Sequence, residues 1–356
     1  MKKFLIRHLG NMGDHVFFIP PVLATLKRVY PGCHITLVTA WGYKTKGFTL
    51  SPSKGKEFWG KRNQGGFCIH LMMTNPHVDE LIHWHDTKIS LEGGICVEDG
   101  KRFPTWSRKH YERQKTSGEY DGVFELDFGL GYEDNPVQKI YEAVGLPQAD
   151  YSHYKIYFAD QDREIASAVM RETPRPRIVL LEGLENETTR GWDPGKIPAL
   201  QRAIQEKYKN RPIWFGSRHI SEYHGRPLTL RENIATLALC DAAIGVMSGP
   251  MHFAAAVGLP TLALYADQPL HRAAPAFFLN RYIPDRQKYH RTLLGPSPTP
   301  YGFLKRDQAN PSLTPAEKTA QNFQTWQHPG RQSRKTGLAA ITVDEVMTVL
   351  HDMLPV

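Results

Sequence analysis

Along the chain, apolar and polar positions fall into short blocks that switch between strand and helix periods. Phe4 to Leu9 is an apolar run. Gly10-Asn11-Met12-Gly13-Asp14 follows, then an apolar-periodic stretch from Val16 to Tyr30 that Pro31-Gly32 stops. His34 to Thr39 alternates with β-branched residues, as strands do. Strand, Gly-rich turn, helix and strand make a βαβ unit and predict a parallel sheet. Pro20 and Pro21 are expected to kink the helix or delay its regular start. Residues 40–118 carry the weakest pattern, with one short strand expected at Phe67 to Met73. Val123 to Leu126 predicts another strand, Pro136 to Val144 a helix ended by Gly145, and Asp162 to Arg171 a further helix.

Pro174 and Pro176 mark a boundary, after which the pattern restarts. Strands are expected at Arg177 to Leu181, Pro212 to Gly216, Ala242 to Val246 and Leu262 to Tyr265. Helices are expected at Ile197 to Tyr208, at Ile234 to Cys240, and at Pro250 to Val257, which is Ala-rich and closed by Gly258. Val343, Val346, Met347, Leu350 and Leu354 recur at helical spacing and predict an amphipathic terminal helix. The chain has 356 residues, and one hydrophobic core usually stops growing near roughly 250–300. Two doubly wound α/β domains are therefore expected, residues 1–172 and 173–340, with 341–356 as the terminal helix.

Hydrophobic residues make up 41% and charged residues 22%, which excludes disordered and fibrous classes. The longest nearly apolar stretch, Ala254 to Ala266, holds 13 residues, short of the roughly 20 of a spanning helix. Arg7 and His8 interrupt the run a signal peptide would need. Cys33, Cys68, Cys96 and Cys240 form no CxxC pair. The expectation is a soluble, reduced, cytoplasmic protein.

Charge sharpens this picture. The net charge is +8, yet segments 41–66, 101–116 and 281–306 together carry +15, which leaves −7 for the rest. Basic loops on a mildly acidic scaffold predict an anionic partner that meets those loops. No RRM, KH or helix-turn-helix pattern accompanies them, so nucleic acid is not the expected partner.

Three turns could carry chemistry. In Met247-Ser248-Gly249-Pro250-Met251-His252, Ser248 suits an N-cap, Gly249 a close backbone approach and Pro250 a first helical turn. Ala254-Ala255-Ala256 would let that helix lie close to the sheet. Its positive end would then suit phosphate oxygens, with His252 as a donor, although an ordinary capped helix fits equally well. Asp14 is either an N-cap or a carboxylate at the carboxyl edge of a parallel sheet, able to take a proton from a hydroxyl. The loop 185–194 offers Thr188, Thr189 and Arg190, hydroxyls and a cation that suit a phosphate.

Together these turns resemble glycosyltransferase family 9, the bacterial heptosyltransferases of lipopolysaccharide assembly. The opening FLIRHLGNMGDHVFFIPPVLATLKRVYPGCHITLVT is similar to that family's start, and AAIGVMSGPMHFAAAVGLPTLALYADQ to its donor signature. NPHVDELI (75–82) and YEAVGLP (141–147) resemble family landmarks. The likeness is thin over 41–67 and 87–118. Met247 stands where the family usually has Asp before Ser-Gly-Pro, and Glu182-Gly183 replaces the usual pattern after the first strand of the second half.

The resemblance implies the GT-B fold, two Rossmann-like domains facing each other across a cleft, with the last helix packing back toward the N-terminal domain. It implies an inverting, metal-independent glycosyltransferase that needs no cofactor. The donor would be a nucleotide-diphospho-sugar, ADP-heptose, and the acceptor a hydroxyl of an anionic glycolipid or glycan. Asp14 would be the general base. Thr188, Thr189, Arg190, Ser248, Gly249, Pro250, Met251 and His252 would bind the donor. Asn11, Gly13, Lys61, Arg62, Arg108 and Lys109 would lie on the acceptor side. Such an acceptor implies peripheral contact with the cytoplasmic face of the inner membrane. A sugar-nucleotide epimerase and a non-catalytic binding protein of the same fold remain alternatives.

Overall fold

The computed structural model of the protein describes residues 1–9, 12–40, 67–85, 95–98, 101–126, 136–146, 154–184, 191–216, 222–246, 248–266, 290–295 and 337–354. Internal contacts divide the chain into two units. One gathers Met1–Gly129, Val137–Val169 and Ser221–Thr236; the other gathers Leu130–Pro136, Met170–Ile220 and Leu237–Val356.

The first unit opens with β1 (Lys3–His8), α1 (Met12–Val29) and β2 (His34–Ala40), the predicted βαβ start. Helix α1 begins at Met12 and runs through both prolines, so the delayed start does not occur. Each proline removes a backbone donor. Val16, Phe18, Ile19, Val22 and Leu23 are nevertheless all buried, and packing around the whole helix outweighs the missing bonds. Strand β1 pairs in parallel with β2 on one side and with β6 (Gly122–Glu125) on the other. Beyond β2 come β3 (Glu80–His85) and β5 (Lys101–Ser107), with β4 (Ile95–Glu98) antiparallel at the edge. The order is β4-β5-β3-β2-β1-β6. His83-Trp84-His85 are residues of β3.

Two expectations are corrected here. Phe67–Met72 is a helix, α2, rather than a strand. A short apolar run without alternation does not distinguish the two, and contacts with α1, β2 and β3 decide for helix. The basic segment 101–116 is not a loop: it forms β5 and the helix α3 (Arg108–Lys115). Buried Phe103, Trp106 and Tyr111 anchor it, an apolar pattern too sparse to show through the charges. Helices α4 (Pro136–Ala143) and α5 (Asp160–Met170) complete this part of the chain.

The second sheet starts with β7 (Ile178–Leu181), then α6 (Ile197–Tyr208) and β8 (Ile213–Phe215). A hairpin of β9 (Glu222–Tyr223) and β10 (Arg226–Pro227) precedes α7 (Leu230–Leu237). This stretch, up to Thr236, clusters with the first unit. Next come β11 (Ala242–Val246), α8 (Gly249–Ala256), β12 (Thr261–Tyr265) and β13 (His290–Leu294). The order is β13-β12-β11-β7-β8, every pairing parallel. Strands β7, β11 and β12 are buried throughout, as expected of a sheet covered on both faces.

The terminal helix, α9 (Val343–Met353), starts from a capping box between Thr342 and Glu345. Val346, Leu350, Met353 and Leu354 bury with Trp192, Leu200, Leu264 and Ile341 of the second unit. The helix has one apolar stripe, and contacts with α6, β12 and β13 occupy it.

Candidate functional site

In each sheet the chain leaves one strand to one side and later returns on the other. The first sheet runs β1, β2, β3 in one direction and then adds β6 beyond β1. The second places β8 on one side of β7 and β11 on the other. Ligands of open α/β sheets bind outside the carboxyl ends of the strands at such switch points. The turn after β1 and the turns after β7 and β11 therefore mark the two candidate sites.

At the first, β1 ends on His8 and α1 starts at Met12, so Gly13 and Asp14 stand in its opening turn. Asn11 and the side chain of Asp14 lie outside the described residues. Buried histidines stand on either side of this turn in the chain, His8 at the end of β1 and His15 in α1. His8 Nδ1 reaches the carbonyl of Leu126, just past β6, at 2.9 Å. A carbonyl only accepts, so Nδ1 carries the hydrogen. Burial holds the His8 pKa down at about 4, against the bond to Leu126, which favours the charged form. The ring of His15 meets that of His8 edge-on at 4.4 Å, and its Nε2 lies 2.5 Å from Thr39 Oγ1 on β2.

Neutral burial makes stability depend on pH. The unfolded His8 titrates near 6.5 and the folded one near 4, so between those values the unfolded chain binds more protons. Stability is full above about pH 6.5 and falls as pH drops through this window, by about 3 kcal/mol from His8. Urea denaturation at pH 7.5 and pH 4.5 checks this. His8→Phe is expected to lose less than the wild type between those values, and equal losses would remove His8 from the linkage.

Arg108 and Lys109 open α3 and are exposed. Strands β1, β2, β3 and β5 run parallel, so these cations lie on the same sheet edge as the Asp14 turn, roughly 14 Å away at three strand spacings. The Ser107 hydroxyl accepts from the His110 N–H, and the first turn holds no acid. Cations at a helix N-terminus oppose its dipole, so this end concentrates positive potential. Lys61 and Arg62 lie outside the described residues.

At the second site, Thr188, Thr189, Arg190 and Met247 lie outside the described residues. The ends of the loop that carries the first three are fixed. Leu184 O accepts the Trp192 N–H at 3.0 Å, and Trp192 is buried, its Nε1–H donating to Ile341 O at 3.1 Å. Ser248 occupies the N-cap position of α8 but makes no side-chain cap, contrary to expectation. Its hydroxyl donates instead to Glu182 O at 3.4 Å. Pro250 has no N–H, and that of Met251 goes to Ser248 O at 3.2 Å. What this end offers an anion is the Gly249 N–H and the helix dipole. Met251 is fully buried and packs beside Gly245, where an added Cβ would come within 2.9 Å of Met251 Cε. It shapes the turn from beneath. His252 is partly exposed, with a pKa held at about 4 by desolvation. At neutral pH it can donate one N–H but brings no charge. Ala254, Ala255 and Ala256 are buried, which seats α8 closely on β11 and β12.

Among the described residues, no three His, Cys, Asp or Glu side chains converge as a metal would require. Also among them, no helix is long and apolar enough to cross a membrane.

Residues 225–281 match the model of glycosyltransferase family 9 (heptosyltransferase). That stretch holds β11, the Ser248-Gly249-Pro250 turn, α8 and β12. Among curated proteins, none matches the sequence. Among solved structures, a glycosyl transferase family 9 protein of Veillonella parvula is 15% identical, with 99% of this chain and 97% of that one covered and a TM-score of 0.53. The ADP-heptose lps heptosyltransferase II of E. coli is 14% identical over 99% and 98%, with a TM-score of 0.50. The iron-containing dodecameric glycosyltransferase TibC of enterotoxigenic E. coli is 12% identical over 99% and 77%, with a TM-score of 0.52. At these identities the structures establish the fold, and that fold is GT-B. The family likeness enters through residues 225–281.

Proposed function

From a chain that carries the glycosyltransferase family 9 pattern over residues 225–281 on the family's fold, we propose an inverting, metal-independent sugar transfer. The donor is ADP-heptose. The acceptor is a hydroxyl of an anionic glycolipid or glycan in lipopolysaccharide assembly. One observation carries this reading: the family match falls on the segment that builds the second switch point, with β11, the turn at 248–250 and α8. The E. coli relative named for ADP-heptose supports the choice of donor.

In the proposed reaction the acceptor oxygen attacks the anomeric carbon as the bond from that carbon to the diphosphate oxygen breaks. The hydroxyl proton passes to the Asp14 carboxylate. One displacement inverts the anomeric configuration. Negative charge gathers on the departing ADP, where Arg190, Thr188, Thr189 and the Gly249 N–H meet it, while Ser248 ties the turn to the carbonyl of Glu182. Stabilising a leaving group in this way is often the larger part of catalysis. His252 adds one neutral donor, while Pro250 and Met251 hold the turn in shape. No metal is assigned, because a guanidinium and a helix N-terminus supply the positive charge. On the acceptor side, Asn11 and Gly13 flank the base, and Lys61, Arg62, Arg108 and Lys109 attract the anionic substrate. A cytoplasmic protein working at the surface of the inner membrane belongs to the same proposal.

Calorimetry with ADP tests the donor half. Arg190→Ala is expected to weaken ADP binding by roughly tenfold or more, the usual worth of a charge-assisted bond. Unchanged affinity would overturn the assignment of this loop to the donor. Release of ADP from ADP-heptose in the presence of an anionic acceptor, with UDP-GlcNAc as control, tests the reaction itself.

A further inference from the structure

Glu182, the first residue past β7, is tied through its main chain to both neighbouring strand ends. Its N–H donates to Phe215 O at the end of β8, at 2.7 Å, and its carbonyl accepts the Ser248 hydroxyl beyond β11, at 3.4 Å. Its side chain lies on the bare backbone of Gly216. A Cβ built at Gly216 would come within 2.2 Å of Glu182 Cβ and 2.6 Å of its Oε2. Gly183 follows at φ +109°, where a Cβ would meet Val246 at 3.1 Å and Ser248 at 3.6 Å. Residue 183 thus takes a left-handed backbone that favours glycine, and position 216 has no room for a side chain beside the carboxylate. The result is a half-buried carboxylate at the carboxyl edge of the second sheet, on a residue whose main-chain carbonyl is hydrogen-bonded to the turn at 248–250.

An ionised carboxylate only accepts hydrogen bonds. Near a diphosphate it repels, so it lowers the affinity of the nucleoside diphosphate that remains after transfer. A hydroxyl beyond the phosphates, on the sugar of the intact donor, offers it a favourable contact that the product nucleotide lacks.

We propose that Glu182 is a specificity-determining residue that accepts a hydrogen bond from a hydroxyl of the donor's sugar and so favours sugar nucleotide over product nucleotide. This rests on the donor reading given above. The test is calorimetry of ADP-heptose and ADP with the wild type and Glu182→Gln, which keeps both main-chain bonds and the packing over Gly216. Affinity for ADP-heptose is expected to fall roughly tenfold, while that for ADP stays within about twofold or rises as repulsion is lost. Equal losses for both ligands, or no loss for ADP-heptose, would overturn the assignment. A wild type that binds neither ligand would overturn the donor reading itself, and this inference with it. Gly216→Ala, which crowds the carboxylate, is expected to reproduce the loss for ADP-heptose alone; if its thermal unfolding is broken, Glu182→Gln still decides.

Discussion

Asp14→Asn is expected to lower sugar transfer by roughly 100-fold or more and to leave ADP affinity within about twofold. Asn keeps the shape of the side chain in the first turn of α1 but cannot take a proton. The helix tolerates the change, since a carboxylate at its N-terminus contributes only about 0.3–1 kcal/mol. His8 bonds the Leu126 carbonyl and His15 the Thr39 hydroxyl, and neither of these bonds involves residue 14. Single-turnover transfer and ADP calorimetry on the same preparation check both halves. Transfer at near wild-type rate would remove Asp14 from the base role.

The second large effect concerns stability. Asp162 in α5 and Arg231 in α7 form a fork, with Arg231 Nε at 2.8 Å from Asp162 Oδ2 and the second bond at 3.2 Å. Their side chains are only 5% and 6% exposed, so neither charge has water to fall back on. Asp162 also accepts the Ala159 N–H at 2.8 Å, which starts α5. Asp162→Ala leaves a guanidinium buried without its carboxylate and is expected to cost about 3–5 kcal/mol. That lowers the melting midpoint by on the order of 10 °C. Exchanging both partners for apolar residues, Asp162→Leu with Arg231→Met, is expected to restore most of the loss. Calorimetric melts of the three chains check this, and a single variant that melts like the wild type would show the pair to be dispensable.

That ion pair also marks a limit of reading the chain in order. Asp162 announces a helix start, and its Ala159 cap is local, but its partner lies 69 positions away. Nothing in the periodicity around 225–236 ties that stretch to the first unit, where its contacts lie. The same limit appears at α2, where a six-residue run, apolar but for His70, allows strand or helix until α1, β2 and β3 pack against it. It appears again at β5 and α3, where eleven charged and polar residues hide three aromatic anchors. At Ser248 the sequence identified a capping residue correctly by position, yet the hydroxyl went to Glu182 O, because that carbonyl lies at the end of the adjacent strand.

What the amino-acid order determined by itself is local. It set the βαβ openings of both halves, the Gly-rich turn before Asp14, the small Ala-rich helix α8 and the amphipathic face of α9. Each depends on neighbours within a turn or a strand repeat, and those interactions are written in adjacent letters. Tertiary structure decided the rest. It put both candidate turns at switch points, made His8 and His252 neutral by burial, spent the apolar stripe of α9 within the second unit, and left room at Gly216 for the side chain of Glu182. Strand order, desolvation and close approach depend on residues far apart in the chain, and the energy of such contacts exists only once the sheets are assembled.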